Sequence, residues 1–265
     1  MHDVTVMKHL LAALLLALPA LAGAQQLLDF RSDLAFTAAE VDSLAAQQYR
    51  NRLRALERSG DIDRNPALGQ RLRNILARLR HAAAYEQPDS AGLAWEIHVC
   101  SRCEESASAM AGGKLLVSAD FIAGLALDDD ELAYLLAHEM AHVLAEHTRE
   151  FATLARAFVG NGFKRDYADI DQQLAEDLPV NLRMEPACVQ QELEADYIGF
   201  VLGAHAGFTP DAMVHLIEKL HRNSPTLLNT HPSDAERLHR ATAMLGMARI
   251  LAERSMPPAS AYELF

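Results

Sequence analysis

The sequence predicts a mainly α fold with a small β-sheet, an α+β domain. Apolar residues recur at helical spacing along most of the 265-residue chain. Only two runs, Trp95–Val99 and Lys114–Ser118, read as strands, and Gly112-Gly113 separates them. No repeat, low-complexity linker or composition break marks a seam, so residues 25–265 read as one domain. The hydrophobic content of 50% is ample for its core.

The elements follow in order. Residues 1–24 read as a cleavable signal peptide: Lys8 and His9 precede an apolar run, Leu10 to Leu18, and Ala22-Gly23-Ala24 offers a small-x-small cleavage pattern. The run is short for a membrane span. No later segment is apolar enough for one, so the expectation is export to the periplasm with no transmembrane segment after signal removal. Thr37 with Glu40 three residues on is a capping box that opens a helix to Ser59. Gly60-Asp61-Ile62-Asp63 breaks that helix. A second helix runs from Pro66 to Ala84, with Leu68, Leu72, Ile75, Leu76 and Leu79 as its inner stripe. A loop from Pro88 to Gly92, the two strands and a short helix near Asp120 to Ala126 come next.

Asp128-Asp129-Asp130-Glu131 suits a helix N-terminus, where the dipole favours negative charge. Leu132, Leu135, Leu136, Met140, Val143 and Leu144 form the buried stripe of the helix behind it. Residues 150 to 188 are less regular, broken by Gly160-Asn161-Gly162, Pro179 and Pro186. They read either as a lid or as a pair of packing helices. Helices from Val189 to Gly203, from Thr209-Pro210 to His221 and from Ser233 to Arg254 complete the chain.

A net charge of -12 excludes a general nucleic-acid binder, which needs a basic face. Cys100, Cys103 and Cys188 are compatible with one disulfide in an oxidising compartment, and the sequence does not assign the pairing. Cys100-x-x-Cys103 has no second pair to complete a zinc knuckle and no following βαβ unit to make it a redox motif.

The chemistry lies in His138-Glu139-Met140-Ala141-His142, an H-E-x-x-H inside a helix. Residues four apart share a helical face, so both imidazoles reach one metal ion, and Glu139 is placed to act on water. A catalytic zinc needs a third protein ligand and an open position. Gln191-Glu192-Leu193-Glu194-Ala195-Asp196 supplies it: Glu192 and Asp196 share a face. Glu192 is the ligand, and Asp196 accepts a hydrogen bond from a ligating histidine and fixes its tautomer. Glu194 is expected in solvent or in an ion pair. His81, His98, His205, His215, His221 and His239 lack ligand-like partners at helical spacing and read as surface or satisfied core residues.

H-E-x-x-H followed about fifty residues later by E-x-x-x-D resembles the zinc metallopeptidases of the CAAX prenyl protease and HtpX type, the gluzincins. Within them it looks closest to the soluble periplasmic BepA-like members, without their repeat domain. His147 matches a further histidine common after the zinc motif. Ala109 to Lys114 resembles the family's edge-strand segment N-A-F-A-x-P-G-G, with Ser106 in place of Asn and Ala111 in place of Pro. Ala206 to Met213 resembles its A-G-Y-D-P-x-A-M turn, and Thr230-His231-Pro232-Ser233 with Arg237 its T-H-P-S…R segment.

The resemblance implies a zincin-like metalloprotease domain and one Zn2+ per chain, held by His138, His142 and Glu192, with Glu139 as general base. It implies that His231 stands near the metal as a second electrophile, with Arg237 behind it and His147 as a rival. It also implies that Gly112, Gly113, Lys114 and Leu115 offer an edge strand to an extended polypeptide. The expected function is an exported zinc endopeptidase acting on misfolded or misassembled envelope proteins. The alternatives are a zinc-binding chaperone or assembly factor with little proteolytic activity, and a purely structural zinc module with four closed ligands.

Overall fold

A computed structural model describes residues 34–101, 103, 106–223 and 234–253. The expected signal peptide and His231 lie outside the described residues.

Helix α1 (Ala38–Ser59) starts at the expected capping box, with Thr37 and Glu40 bonded reciprocally, and ends on Gly60 in the left-handed conformation. The Tyr49 hydroxyl on its buried face donates to the Leu115 carbonyl at 2.7 Å, which pins α1 to the sheet. Helix α2 (Pro66–Glu86) buries Leu72, Ile75, Leu76 and Leu79 against the main core, as its stripe predicts.

The sheet has three strands: β1 (Glu96–Cys100), β2 (Ala107–Met110) and β3 (Lys114–Ser118), in the order β1-β3-β2. β1 runs parallel to β3 and β2 antiparallel to it. Gly112 and Gly113 turn the β2–β3 hairpin at φ of 74° and 80°, which side chains rarely adopt. This corrects the expected edge strand: Lys114 and Leu115 lie in the middle strand, paired on both sides, and the edges are β1 and β2. Cys100 and Cys103 form a disulfide at the end of β1, and Cys188 is free.

After a short helix α3 (Ala119–Gly124), α4 (Asp129–Leu144) is capped by Asp128 in a second capping box with Glu131. It runs through the middle of the core, burying Leu132, Tyr134, Leu136 and Met140 completely. Glu146 takes a left-handed φ of 56°, so the chain folds back at once into α5 (His147–Ala155). Helix α6 (Tyr167–Glu176) follows, and then α7 (Leu178–His205). The region from 150 to 188 is built from these three helices with turns over 156–166 between the first two, and Ala152, Ala155, Tyr167, Ile170, Val180 and Met184 form a second core beside Phe36 and Val41 of the N-terminal segment. Helix α7 begins eleven residues before the Val189 start expected, and runs through Pro186. Helices α8 (Asp211–Asn223) and α9 (Asp234–Glu253) pack on α4 and α7. No helix among the described residues is long and apolar enough to cross a membrane.

Candidate metal centre

Helix α7 lies close against α4 because it turns glycine toward it. A Cβ added at Gly199 would sit 2.8 Å from the His138 backbone nitrogen, and one at Gly203 would sit 2.4 Å from the Tyr134 ring. Glu192, Asp196, Gly199 and Gly203 follow helical spacing on that face. The glycines let the backbones approach, and the carboxylates arrive beside the imidazoles.

The Nε2 atoms of His138 and His142 are 3.2 Å apart. The Glu192 carboxylate reaches both, at 3.3 Å from His138 and 3.5 Å from His142. Among the described residues, these three form the group whose donor atoms lie within 4.8 Å of one another and could hold a metal. Two imidazoles and one carboxylate suit zinc and leave a coordination position for water. Glu139 is half-buried on α4, between the two histidines in sequence.

Each imidazole has a partner behind it. His138 Nδ1 donates to Asp196 Oδ1 at 2.9 Å, which keeps Nε2, on the Glu192 side, available to ligate a metal. Arg237 grips the same carboxylate with two hydrogen bonds, of 2.7 and 2.8 Å. Burial opposes the Asp196 charge, but the Arg237 and His138 hydrogen bonds outweigh it and hold the carboxyl at about 2. On the other arm, His147 Nδ1 is 2.9 Å from His142 Nδ1, and His147 Nε2 is 3.4 Å from Glu194 Oε2. With His142 Nε2 given to a metal, its Nδ1–H donates to His147, and His147 Nε2–H to Glu194. Gln191 steadies this arm, donating to the His147 carbonyl and to Glu150.

One expectation changes here and one is narrowed. His147 is buried behind His142, on the side away from the shared Nε2 face, so it is not placed to touch a substrate oxyanion. Glu194 meets the ion-pair alternative expected for it, with His147 as its partner at 3.4 Å. Spacing along α7 alone could not reveal this, because the contact depends on the left-handed turn at Glu146.

Charge in the centre favours a cation. Burial works against a proton on His138, yet its bonds to Asp196 and Glu192 raise it to about 10. Burial and the neighbouring His138 lower His142 to about 3. The carboxylates that favour a proton here favour a divalent ion equally. A cavity of about 620 Å³ opens beside the centre, lined by His142 and Glu192 among others.

A histidine helix crossed by a carboxylate helix, with a tautomer-fixing partner for each imidazole, defines a zincin-type metal centre. The chain belongs to peptidase family M48, whose model matches residues 66–245. Peptidases of this family use zinc, and the triad that would hold it is in place. Its relatives include the mitochondrial metalloendopeptidase OMA1 of Saccharomyces cerevisiae, 30% identical over 207 residues, covering 71% of this chain and 59% of that protein. The OMA1 of Schizosaccharomyces pombe is 32% identical over 170 residues, covering 62% and 50%. Human OMA1 is 26% identical over 193 residues, covering 65% and 37%. The chain thus spans between about a third and three-fifths of the length of the curated relatives it matches. All of these relatives are named as mitochondrial, which overturns the expected periplasmic location.

Proposed function

We propose that this chain is a zinc-dependent endopeptidase that cuts polypeptides by activating water. The observation that carries it is the convergence of His138, His142 and Glu192 beside an open cavity, with Glu139 on the same helix. Zinc held there by His138, His142 and Glu192 would polarise a peptide carbonyl and lower the pKa of water to about 7. Glu139 takes the proton of the attacking water and hands it to the leaving amine. Asp196 and His147 keep the two imidazoles in the ligating tautomer, and Arg237 holds Asp196. His231 is assigned as the second electrophile at the oxyanion, on the strength of the T-H-P-S…R segment. Arg237 of that segment is anchored at the centre.

An extended polypeptide can pair with β2, the edge strand whose Ala109 lines the cavity, through main-chain hydrogen bonds that do not depend on side-chain identity. OMA1 relatives are endopeptidases by name, which supports cleavage within a chain. The narrower expectation of misfolded envelope proteins rests on resemblance alone and loses its compartment. A chaperone without cleavage leaves Glu139 with no task.

The test compares wild type with Glu139→Gln on unfolded protein substrates, with zinc content measured for both. Cleavage should fall about 100-fold or more while zinc content holds. Equal cleavage by the two refutes the mechanism, and zinc binding without any cleavage by wild type favours the chaperone.

A further inference from the structure

We infer that the cavity beside the metal centre is a subsite for a long basic side chain, Arg or Lys, of the polypeptide substrate. The inference rests on the endopeptidase reading and adds its side-chain preference.

The cavity is walled partly by apolar side chains and carries two carboxylates, Glu192 at the metal centre and Asp171 on the α6 side. Phe151 of α5, Leu174 and Ala175 of α6 and Ala109 of β2 supply apolar lining. Tyr167, Asp171, Leu174 and Ala175 follow one another at helical spacing, so α6 turns a single face to the cavity. The Asp171 carboxylate accepts a 2.7 Å hydrogen bond from Gln48 Nε2 and another from the Tyr167 hydroxyl. Both donors are neutral. Among the described residues, no lysine or arginine lines the cavity. A half-buried carboxylate beside apolar walls, held by neutral donors, favours an incoming cation. Lys and Arg match this shape, since their aliphatic stems lie along apolar surface and carry the charge at the tip.

The sheet edge indicates which substrate residue enters. Residues directly opposed on neighbouring strands project their side chains to the same face. Ala109 of the edge strand lines the cavity, so a substrate residue paired with Ala109 sends its side chain into it.

The experiment uses the zinc-loaded full chain and peptides that differ at one position: Arg, its neutral isostere citrulline, Lys, its apolar isostere norleucine, and Glu. Wild type should cut the Arg and Lys peptides at least about tenfold more efficiently in kcat/KM than their uncharged isosteres. Asp171→Asn, which keeps an acceptor for Gln48, should erase that ratio while cleavage of the norleucine peptide and zinc content stay unchanged. A preference for norleucine, or a basic preference that survives Asp171→Asn, overturns the subsite. The Arg and citrulline peptides titrated onto Glu139→Gln read the same subsite without turnover. Tighter Arg binding there, with no cleavage by wild type, defeats the endopeptidase reading and leaves the subsite standing. Equal binding of the two defeats the subsite.

Discussion

Gly199→Ala tests whether the close approach of α7 to α4 builds the centre. The new Cβ would stand 2.8 Å from the His138 nitrogen and 3.0 Å from the Ala137 carbonyl carbon and the His138 Cα. All three are backbone atoms in the middle of a buried helix, so no flexible side chain can swing away. The closest contact falls about 0.6 Å short of an ordinary one. Overpacking of this kind costs about 1–3 kcal/mol. At about 2–4 °C per kcal/mol for a domain of this size, Tm should fall by roughly 2–12 °C. The helices must also separate by more than the ~0.2 Å tolerance of a metal–ligand distance. Glu192 rides on the displaced helix, so zinc affinity should fall about tenfold or more. Thermal unfolding and competitive zinc titration read the two effects. Gly246→Ala is the control, because a Cβ there meets nothing within 4 Å. In a helix interior it should stabilise by about 0.5–1 kcal/mol. Wild-type Tm and zinc affinity in Gly199→Ala would refute the reasoning.

Three further outcomes follow from the partners of the imidazoles. Asp196→Ala leaves Arg237 buried without its carboxylate and His138 without its acceptor, so it should cost about 3–5 kcal/mol in denaturant unfolding. Asp196 is held near 2 against an ordinary 3.8. Its contribution to stability is therefore full above pH 4 or so and is lost as pH falls through about 2. Acid unfolding of wild type should steepen across that window, and Asp196→Asn should lack that component. His147→Ala should weaken zinc binding by about tenfold, measured by chelator competition, because His142 Nδ1 loses its partner. Unchanged affinity would remove His147 from the centre.

Local chemistry made much of this legible. The capping boxes at Thr37 and Asp128 set the starts of α1 and α4, because side chain and backbone satisfy each other within four residues. The spacing of His138, His142, Glu192 and Asp196 marked the two faces that meet. Tertiary context decided the rest. Strand β2 is Ala-Ser-Ala-Met, with no branched or aromatic residue to mark a strand, and it forms because β3 offers it a partner. Pro186 reads as a helix end, yet α7 continues through it. Val180 and Met184 ahead of the proline are buried in the second core, and this packing offsets the roughly 3 kcal/mol a helix-interior proline costs. Glu194 reads from sequence as solvated or ion-paired, and spacing does not name its partner, because His147 arrives through a left-handed turn at a glutamate.

X-ray absorption at the zinc edge tests the central claim most directly. One zinc per chain is expected, with nitrogen and oxygen neighbours only, at about 2.0–2.2 Å, and one light-atom neighbour fewer in Glu192→Ala. A sulfur neighbour at about 2.3 Å, contributed by Cys188 or another cysteine, would contradict it, as would a shell unaltered by removing Glu192.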